Sequence, residues 1–237
     1  MTPQFRFGDW TDRTRPDRLR DVNTRWRSES TPFPAAFDEE PIMPDNESVR
    51  HFDEAAAGWD EKPERVALAR SVADAIAEHV PLPPTTRALE YGCGTGLVGL
   101  ALAPRLGRLT AADSSEGMLG VLREKLQRGA ADNVDPVRLD LQTDPPPAGP
   151  FDLVFSSMTL HHVEALDRVL AAFAGLLAPG GRLAVVDLEA EDGSFHGDRV
   201  DVEHHGFAPD ALAERIRKAG LVPEGHWTAA RPRREVD

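Results

Sequence analysis

Residues Arg87 to Leu102 read RALEYGCGTGLVGLAL. A short apolar run, Arg87–Tyr91, enters a turn with glycines at 92, 94 and 96, and a helix-like stretch with Gly99 follows. Glycine tolerates positive φ and lets the backbone approach a neighbour or a ligand closely. A buried strand that turns this tightly into a helix belongs to α/β architecture, and the downstream pattern repeats the alternation. Strands are expected at Arg108–Ala112, Val134–Leu139, Phe151–Ser156, Arg182–Leu188 and from Leu221 to Thr228. Helices are expected at Leu97–Leu106, from a Ser114 or Ser115 cap through Arg128, at Val163–Leu177 and at Ala208–Ala219. Phe151–Ser156 shows little polar alternation, as in a strand covered on both faces. Right-handed crossovers then predict a doubly wound, mostly parallel sheet with helices on both faces.

Ahead of this unit, Pro63 suits the first turn of a helix running to about Val80, with Val66, Ala69, Val72, Ala73, Ile76 and Val80 as its apolar stripe. A shorter helix after Asn46 or Ser48 carries Phe52, Ala55, Ala56 and Trp59 at helical spacing. Prolines 32, 34, 41 and 44 oppose regular structure, so residues 1–46 read as an N-terminal extension and linker and residues 47–237 as the domain. The extension's first 30 residues hold seven arginines against five acids, whereas the whole chain carries a net charge of −13. That acidity disfavours a nucleic-acid surface, which needs clustered Lys and Arg. No apolar run nears the roughly 20 residues of a membrane span, and the first residues lack a signal-peptide core, so a cytoplasmic location is expected. A lone Cys93 excludes an intramolecular disulfide and a multi-cysteine metal site.

Two ligands compete for the glycine turn. Gly94-Thr95-Gly96-Leu97-Val98-Gly99 matches the dinucleotide pattern literally, and Asp113 lies where a ribose-binding acid belongs. In the register that abuts the strand, however, the third glycine would fall at Leu97. Glu90 would also oppose a pyrophosphate laid on the helix N-terminus. The same carboxylate would help a ligand carrying an ammonium and a sulfonium. A nicotinamide-dependent oxidoreductase and a non-catalytic cofactor- or partner-binding protein remain as alternatives.

LEYGCGTG, followed by LTAADSSEGML, DLQ and FDLVFSSMTLHHV, resembles the Rossmann-like S-adenosylmethionine-dependent methyltransferases over residues 48–228. FDEAAAGWDEKPER and the DGSFH and HHGF segments are further similar to a bacterial small-molecule branch, close to methyltransferases of quinone biosynthesis. The resemblance implies S-adenosylmethionine as cofactor, S-adenosylhomocysteine as product and a small-molecule acceptor. It places Glu90, Gly92, Gly94 and Gly96 around the methionine portion and Asp113 on the ribose hydroxyls. It sets Ser114 and Met118 near the adenine, Asp140 and Leu141 at the adenine edge, and Ser156 at the methionine end. Each role suits its residue: a carboxylate accepts two hydroxyl donors, and Met offers a soft apolar surface.

Methyl transfer is an in-line displacement that needs alignment, exclusion of water and sometimes removal of a proton. In an open α/β sheet the reaction space lies beyond the carboxyl ends of the strands. Ser156, Ser157 and Met158 with His161 and His162 should therefore border the acceptor, as should the loop from Glu189 to His205. His161, His196 and His205 are candidate bases, and a base-free mechanism stays open. Phe52 and Trp59 are candidates for a lid. The histidine pairs lack zinc-motif spacing, so no metal is expected. The family sheet ends in a hairpin with an antiparallel last strand, and Pro232 with three arginines makes a poor one. The N-terminal extension is the candidate to complete that edge.

Overall fold

The computed structural model of the chain describes residues 5–11, 47–191 and 202–230. Within them the strands are β1 (Phe5–Thr11), β2 (Arg87–Tyr91), β3 (Arg108–Asp113), β4 (Val134–Arg138), β5 (Phe151–Ser157), β6 (Leu177–Leu188) and β7 (Val222–Ala230). The helices are α1 (Glu47–Ala55), α2 (Pro63–His79), α3 (Leu97–Leu102), α4 (Glu116–Gln127), α5 (Leu166–Leu176) and α6 (Pro209–Lys218). The strands form one sheet in the order β4-β3-β2-β5-β6-β1-β7. The pairs β3–β4, β2–β3, β2–β5 and β5–β6 are parallel. The chain leaves β2 in one direction for β3 and β4 and returns on its other side for β5 and β6. The switch point therefore lies beyond the carboxyl end of β2, where the glycine turn sits.

Strand alternation sorts the core into two layers. Ala88, Ala111, Leu153, Phe155, Ala184 and Val186 face α2, α3 and α4, packing with Val72, Ile76, Leu102 and Leu122. Leu89, Ala112, Val154, Leu183 and Val185 face α5 and α6, packing with Leu170, Phe173 and Ile216. Burying such side chains stabilises by about 1.5–3 kcal/mol each, before chain entropy is counted against it. Glu90 lies on the same face as Ala88, under α3, so its carboxylate is aimed into an apolar layer at the switch point.

Several boundaries depart from the sequence expectations. The helix after the glycine turn stops at Leu102 and tightens to a 3-10 turn over Ala103–Arg105, because Pro104 supplies no N–H. The helix expected from Val163 begins at Leu166, and a 3-10 turn, Leu160–His162, precedes it. β6 starts five residues early and takes in the Pro-Gly-Gly segment, with Gly180 at φ +76° and a register shift against β5 between Phe151 and Leu153. Pro136 is accommodated in β4, which is an edge strand.

At the far edge the N-terminal extension supplies a strand, as the sequence had made it a candidate to do. β1 pairs antiparallel with β6 on one side and with β7 on the other. Phe5–Thr11, assigned from sequence to an extension ahead of residue 47, is thus a strand of the domain's own sheet. It supplies the antiparallel strand that the chain after β7 was ill suited to make. Of residues 1–46, the others lie outside the described residues.

Candidate active site

The glycine turn is built by three residues at positive φ, Gly92 (+76°), Gly94 (+54°) and Gly96 (+80°). Gly92 and Cys93 both donate their amides to Ala112 O of β3, at 2.8 and 2.9 Å. Asp113 fixes the next bend. Its Oδ2 accepts the Gly94 amide at 2.7 Å and its Oδ1 the Ser115 amide at 2.9 Å. Ser115 in turn caps α4, its hydroxyl accepting the Met118 amide at 3.1 Å. Asp113 therefore aligns both ligand-facing loops at once. Burial raises its pKa, and the amides of Ser115, Gly94 and Ser114 act against that shift.

Beyond this turn opens a cavity of about 200 Å³. Its walls include Glu90, Gly92, Gly94, Asp113, Ser114, Met118 and Asp140 on one side, and Ser157 and Met158 on another. Phe52 and Trp59 close it from the segment before α2. All eleven were singled out from sequence, and one cavity gathers them. Phe52 and Trp59 meet edge to face with centroids 5.6 Å apart.

The cavity's electrostatics favour a cation. Glu90 is 2% exposed, and its Oε2 has no hydrogen-bond partner. Burial, and then the charge of Asp113, raises its pKa well above the carboxylate range, with the Gly99 amide working the other way. Asp140 Oδ1 accepts the Gln142 amide at 2.9 Å and the Tyr91 hydroxyl at 3.3 Å. The tyrosine's pKa is raised, by burial first and by Asp140 second. Arg65 is the one Lys or Arg among the described lining residues; it donates to Trp59 O at 3.2 Å and lies 3.6 Å over the Trp59 ring.

These features fit S-adenosylmethionine. An orphaned buried carboxylate oxygen beside a close-approach turn suits an ammonium, and the acid closing β3 suits a ribose. A pyrophosphate would meet Glu90, Asp113 and Asp140 instead. Asp53 of α1 closes the α4 N-terminus, accepting the Ser115 hydroxyl at 2.5 Å and the Gly117 amide at 2.8 Å.

Other sequence candidates are placed elsewhere. Gly96 does not line the cavity; a Cβ there would lie 2.5 Å from Leu122 Cδ1, so its role is packing under α4. The Leu141 side chain is 1% exposed within the layer beneath α5. Ser156 is buried and donates to Tyr91 O at 2.9 Å, stitching β5 to β2. His161 is 2% exposed, with Nδ1 2.7 Å from Asp187 Oδ1, and it does not line the cavity. His205 is exposed, with Nδ1 3.8 Å from Glu191 Oε1, and is likewise absent from the lining. His196 lies outside the described residues. Cys93 does line the cavity, but it is buried, its thiol donates to Gly94 O at 3.6 Å, and burial raises its pKa, which disfavours the nucleophilic thiolate.

Sequence reasoning did not single out Arg65, Gln142 and Thr159 in the walls, and of the histidine pair it named His161 as a candidate base, which is not in the lining. His162 is the one facing the cavity, edge-on to Phe52 at 5.1 Å. Two anchors of the covering segment were also missed. Asp60 accepts the Thr95 hydroxyl at 2.6 Å and pairs with Lys125, which also donates to Thr95 O at 2.7 Å. The other anchor is Asp53; it lies on α1 and Asp60 in the 3-10 turn Ala56–Glu61, and they meet Ser115 and Thr95 of two different turns.

Residues 88–181 match the family described as "Methyltransferase domain". An uncharacterized methyltransferase of Schizosaccharomyces pombe is 33% identical over 148 residues, covering 56% of this chain and 52% of that one. A malonyl-[acyl-carrier protein] O-methyltransferase of Methylococcus capsulatus is 36% identical over 137 residues, covering 56% and 48%. The chain thus spans about half the length of these curated relatives. The solved DhpI complex with S-adenosylhomocysteine shares the fold, with a TM-score of 0.57 at 24% identity over 73% of this chain and 85% of that one. Residues 88–181, which include the glycine turn, are thus similar to methyltransferase domains, and the chain shares its fold with a solved structure holding S-adenosylhomocysteine.

Proposed function

We propose that the protein transfers the methyl group of S-adenosylmethionine to a small-molecule acceptor. The observation that carries this reading is Glu90, a buried acid of the cavity wall beside the glycine turn whose Oε2, packed against Gly99, has no hydrogen-bond partner. S-adenosylmethionine, when bound, supplies a methyl group activated by positive sulfur. Glu90 meets the ammonium of its methionine end, and the Gly92–Gly94 backbone lets that end approach closely. Asp113 holds the ribose through the lone pairs its two amides leave over. Met118 and Leu139 give the adenine an apolar bed, with Asp140 at its edge. Ser157, Met158, Thr159 and His162, after β5, border the acceptor, and Phe52 and Trp59 shut out water. One relative is named for O-methylation, which supports an oxygen acceptor; the cavity's apolar and aromatic walls support a small molecule rather than a polymer.

Calorimetric titration tests the reading. S-adenosylhomocysteine and S-adenosylmethionine should bind, NAD should not, and Glu90→Gln should weaken the first two about tenfold or more. NAD binding without S-adenosylhomocysteine binding would establish the oxidoreductase alternative. Cofactor binding with no methyl-tritium passed to any compound of a metabolite extract would favour a non-catalytic role.

A further inference from the structure

The turn that carries His162 is held far more firmly than a connecting loop requires. Asp187, 3% exposed at the end of β6, accepts the Leu160 amide on Oδ2 at 2.9 Å and the Leu188 amide on Oδ1 at 2.8 Å. The same Oδ1 lies 2.7 Å from His161 Nδ1. From the other side, His161 O accepts the amides of Glu203 and His204 at 2.9 and 3.0 Å. His204 Nε2 donates to Val163 O at 3.0 Å. One imidazole of the pair is thereby locked beneath the turn. The other, His162, is presented to the cavity against Phe52, with the two imidazole centroids 4.1 Å apart. Met158, on the approach to this turn, takes φ +56°, a strained value for a non-glycine residue.

Among the described lining residues His162 is the one histidine. The other titratable groups of the wall are Arg65, Glu90, Tyr91, Cys93, Asp113 and Asp140. Arg65 is no base, Tyr91 and Cys93 stay protonated, and the three carboxyls belong to the cofactor side. Behind it stand His161, in contact with the His162 ring, and His51, which meets Phe52 from α1. A carboxylate acceptor arrives ionised at neutral pH and needs no base, whereas a hydroxyl must lose a proton as it is methylated.

We infer that His162 is the proton acceptor for a hydroxyl-bearing acceptor of planar, apolar body, with Asp187 and His161 as its positioning residues. The assignment rests on the proposed methyl transfer. The acceptor oxygen forms its bond to the methyl carbon as the carbon–sulfur bond breaks. That electron pair neutralises the sulfonium, and the hydroxyl proton passes to an imidazole nitrogen, so one positive charge moves from sulfur to His162. Phe52 and Trp59 supply the faces and edges against which a phenol-like ring would lie.

Two measurements on the full chain test it without a known acceptor. Sinefungin carries a protonated amine where S-adenosylmethionine carries its methyl group, and S-adenosylhomocysteine carries no charge there. A unit charge about 6 Å away lowers a histidine's titration midpoint by about half a unit even in a water-like medium. The His162 ring proton, identified by its loss in His162→Gln, should titrate at least that much lower in the sinefungin complex. His79 is the internal control, stacked on Trp227 and about 21 Å along α2 from Arg65. Equal midpoints in the two complexes overturn the assignment. In the second measurement, 4-nitrophenol is added to the S-adenosylhomocysteine complex at a pH where the free phenol is neutral. A phenolate absorption band in the wild type that is lost in His162→Gln supports the assignment. No band in the wild type, or an undiminished band in a variant that still binds S-adenosylhomocysteine, overturns it. Absence of any cofactor binding in the wild type overturns the proposed function as well, so the two failures are told apart.

Discussion

Replacing Gly92 by alanine should damage fold and cofactor binding together, and the two parts of the damage can be separated. Gly92 has φ +76°, where an L-residue costs about 1–2 kcal/mol. The added Cβ would fall 2.1, 2.3 and 2.6 Å from Oγ1, Cγ2 and Cβ of Thr159. Because Thr159 Cβ is itself too close, no rotamer change clears the overlap, and forced overpacking costs about 1–3 kcal/mol. The sum, about 2–5 kcal/mol, predicts a Tm lower by roughly 4–20 °C for a chain of this size. Thr159→Gly removes the obstructing atoms, along with its hydroxyl bonds to Gly92 O (3.3 Å) and Ser157 O (3.0 Å). In the double variant the overlap cost should vanish while the backbone cost remains, giving a favourable coupling of about 1–3 kcal/mol in chemical denaturation. S-adenosylhomocysteine affinity, followed by calorimetry, should partly recover in the same variant. If the two single effects simply add, the close approach of the two loops is not what requires glycine here.

Three further outcomes follow from other parts of the structure. Glu90's raised pKa means the neutral acid is the form the fold tolerates: stability is full below its ordinary value of 4.5 and is lost as pH rises toward the folded-state value. In the ligand-free protein, Glu90→Gln should therefore match wild type in urea denaturation near pH 4.5 and exceed it increasingly at higher pH, while binding cofactor more weakly; a constant difference across pH would contradict this. Asp60→Asn with Lys125→Met should speed S-adenosylhomocysteine dissociation several-fold in stopped-flow experiments, yet lower stability by no more than about 1 kcal/mol, because the pair is partly exposed. Removing residues 1–11 should abolish cooperative unfolding, since β6 and β7 would each lose a whole ladder of hydrogen bonds; a truncated chain with wild-type Tm would show the strand to be dispensable.

The strand–turn–helix skeleton was legible because it rests on local signals. Arg87–Tyr91 appears with the boundaries read from its apolar run, and the Ser115 cap falls where the serine pair indicated. The cavity wall was legible for a related reason: strand ends and the first residues of the following turns are brought together by topology alone. Gly96 and Leu141, in turns, and Ser156, on β5, are not in the lining. Each is adjacent in sequence to a lining residue, and side-chain direction reverses at every step along a strand. The choice between His161 and His162 depended on a 3-10 turn pinned by Asp187, a partner 26 residues away. No periodicity reports such a contact. The place of β1 was hidden further, since only the poor strand character after Thr228 hinted that another segment was needed.

That strand has a consequence for how the protein is made. Its two neighbours in the sheet, β6 and β7, are the last two strands among the described residues, whereas β1 precedes every other described element. On the ribosome, β1 is made well before β6 and β7 and has no place to dock until both have emerged. Contacts of such long sequence separation are slow to form. Meanwhile the far side of β6 is an open strand edge, exposed to other nascent chains. Expression yield should thus respond to chaperone supply and to bulky N-terminal fusions more than the local character of the remaining sheet would lead one to expect.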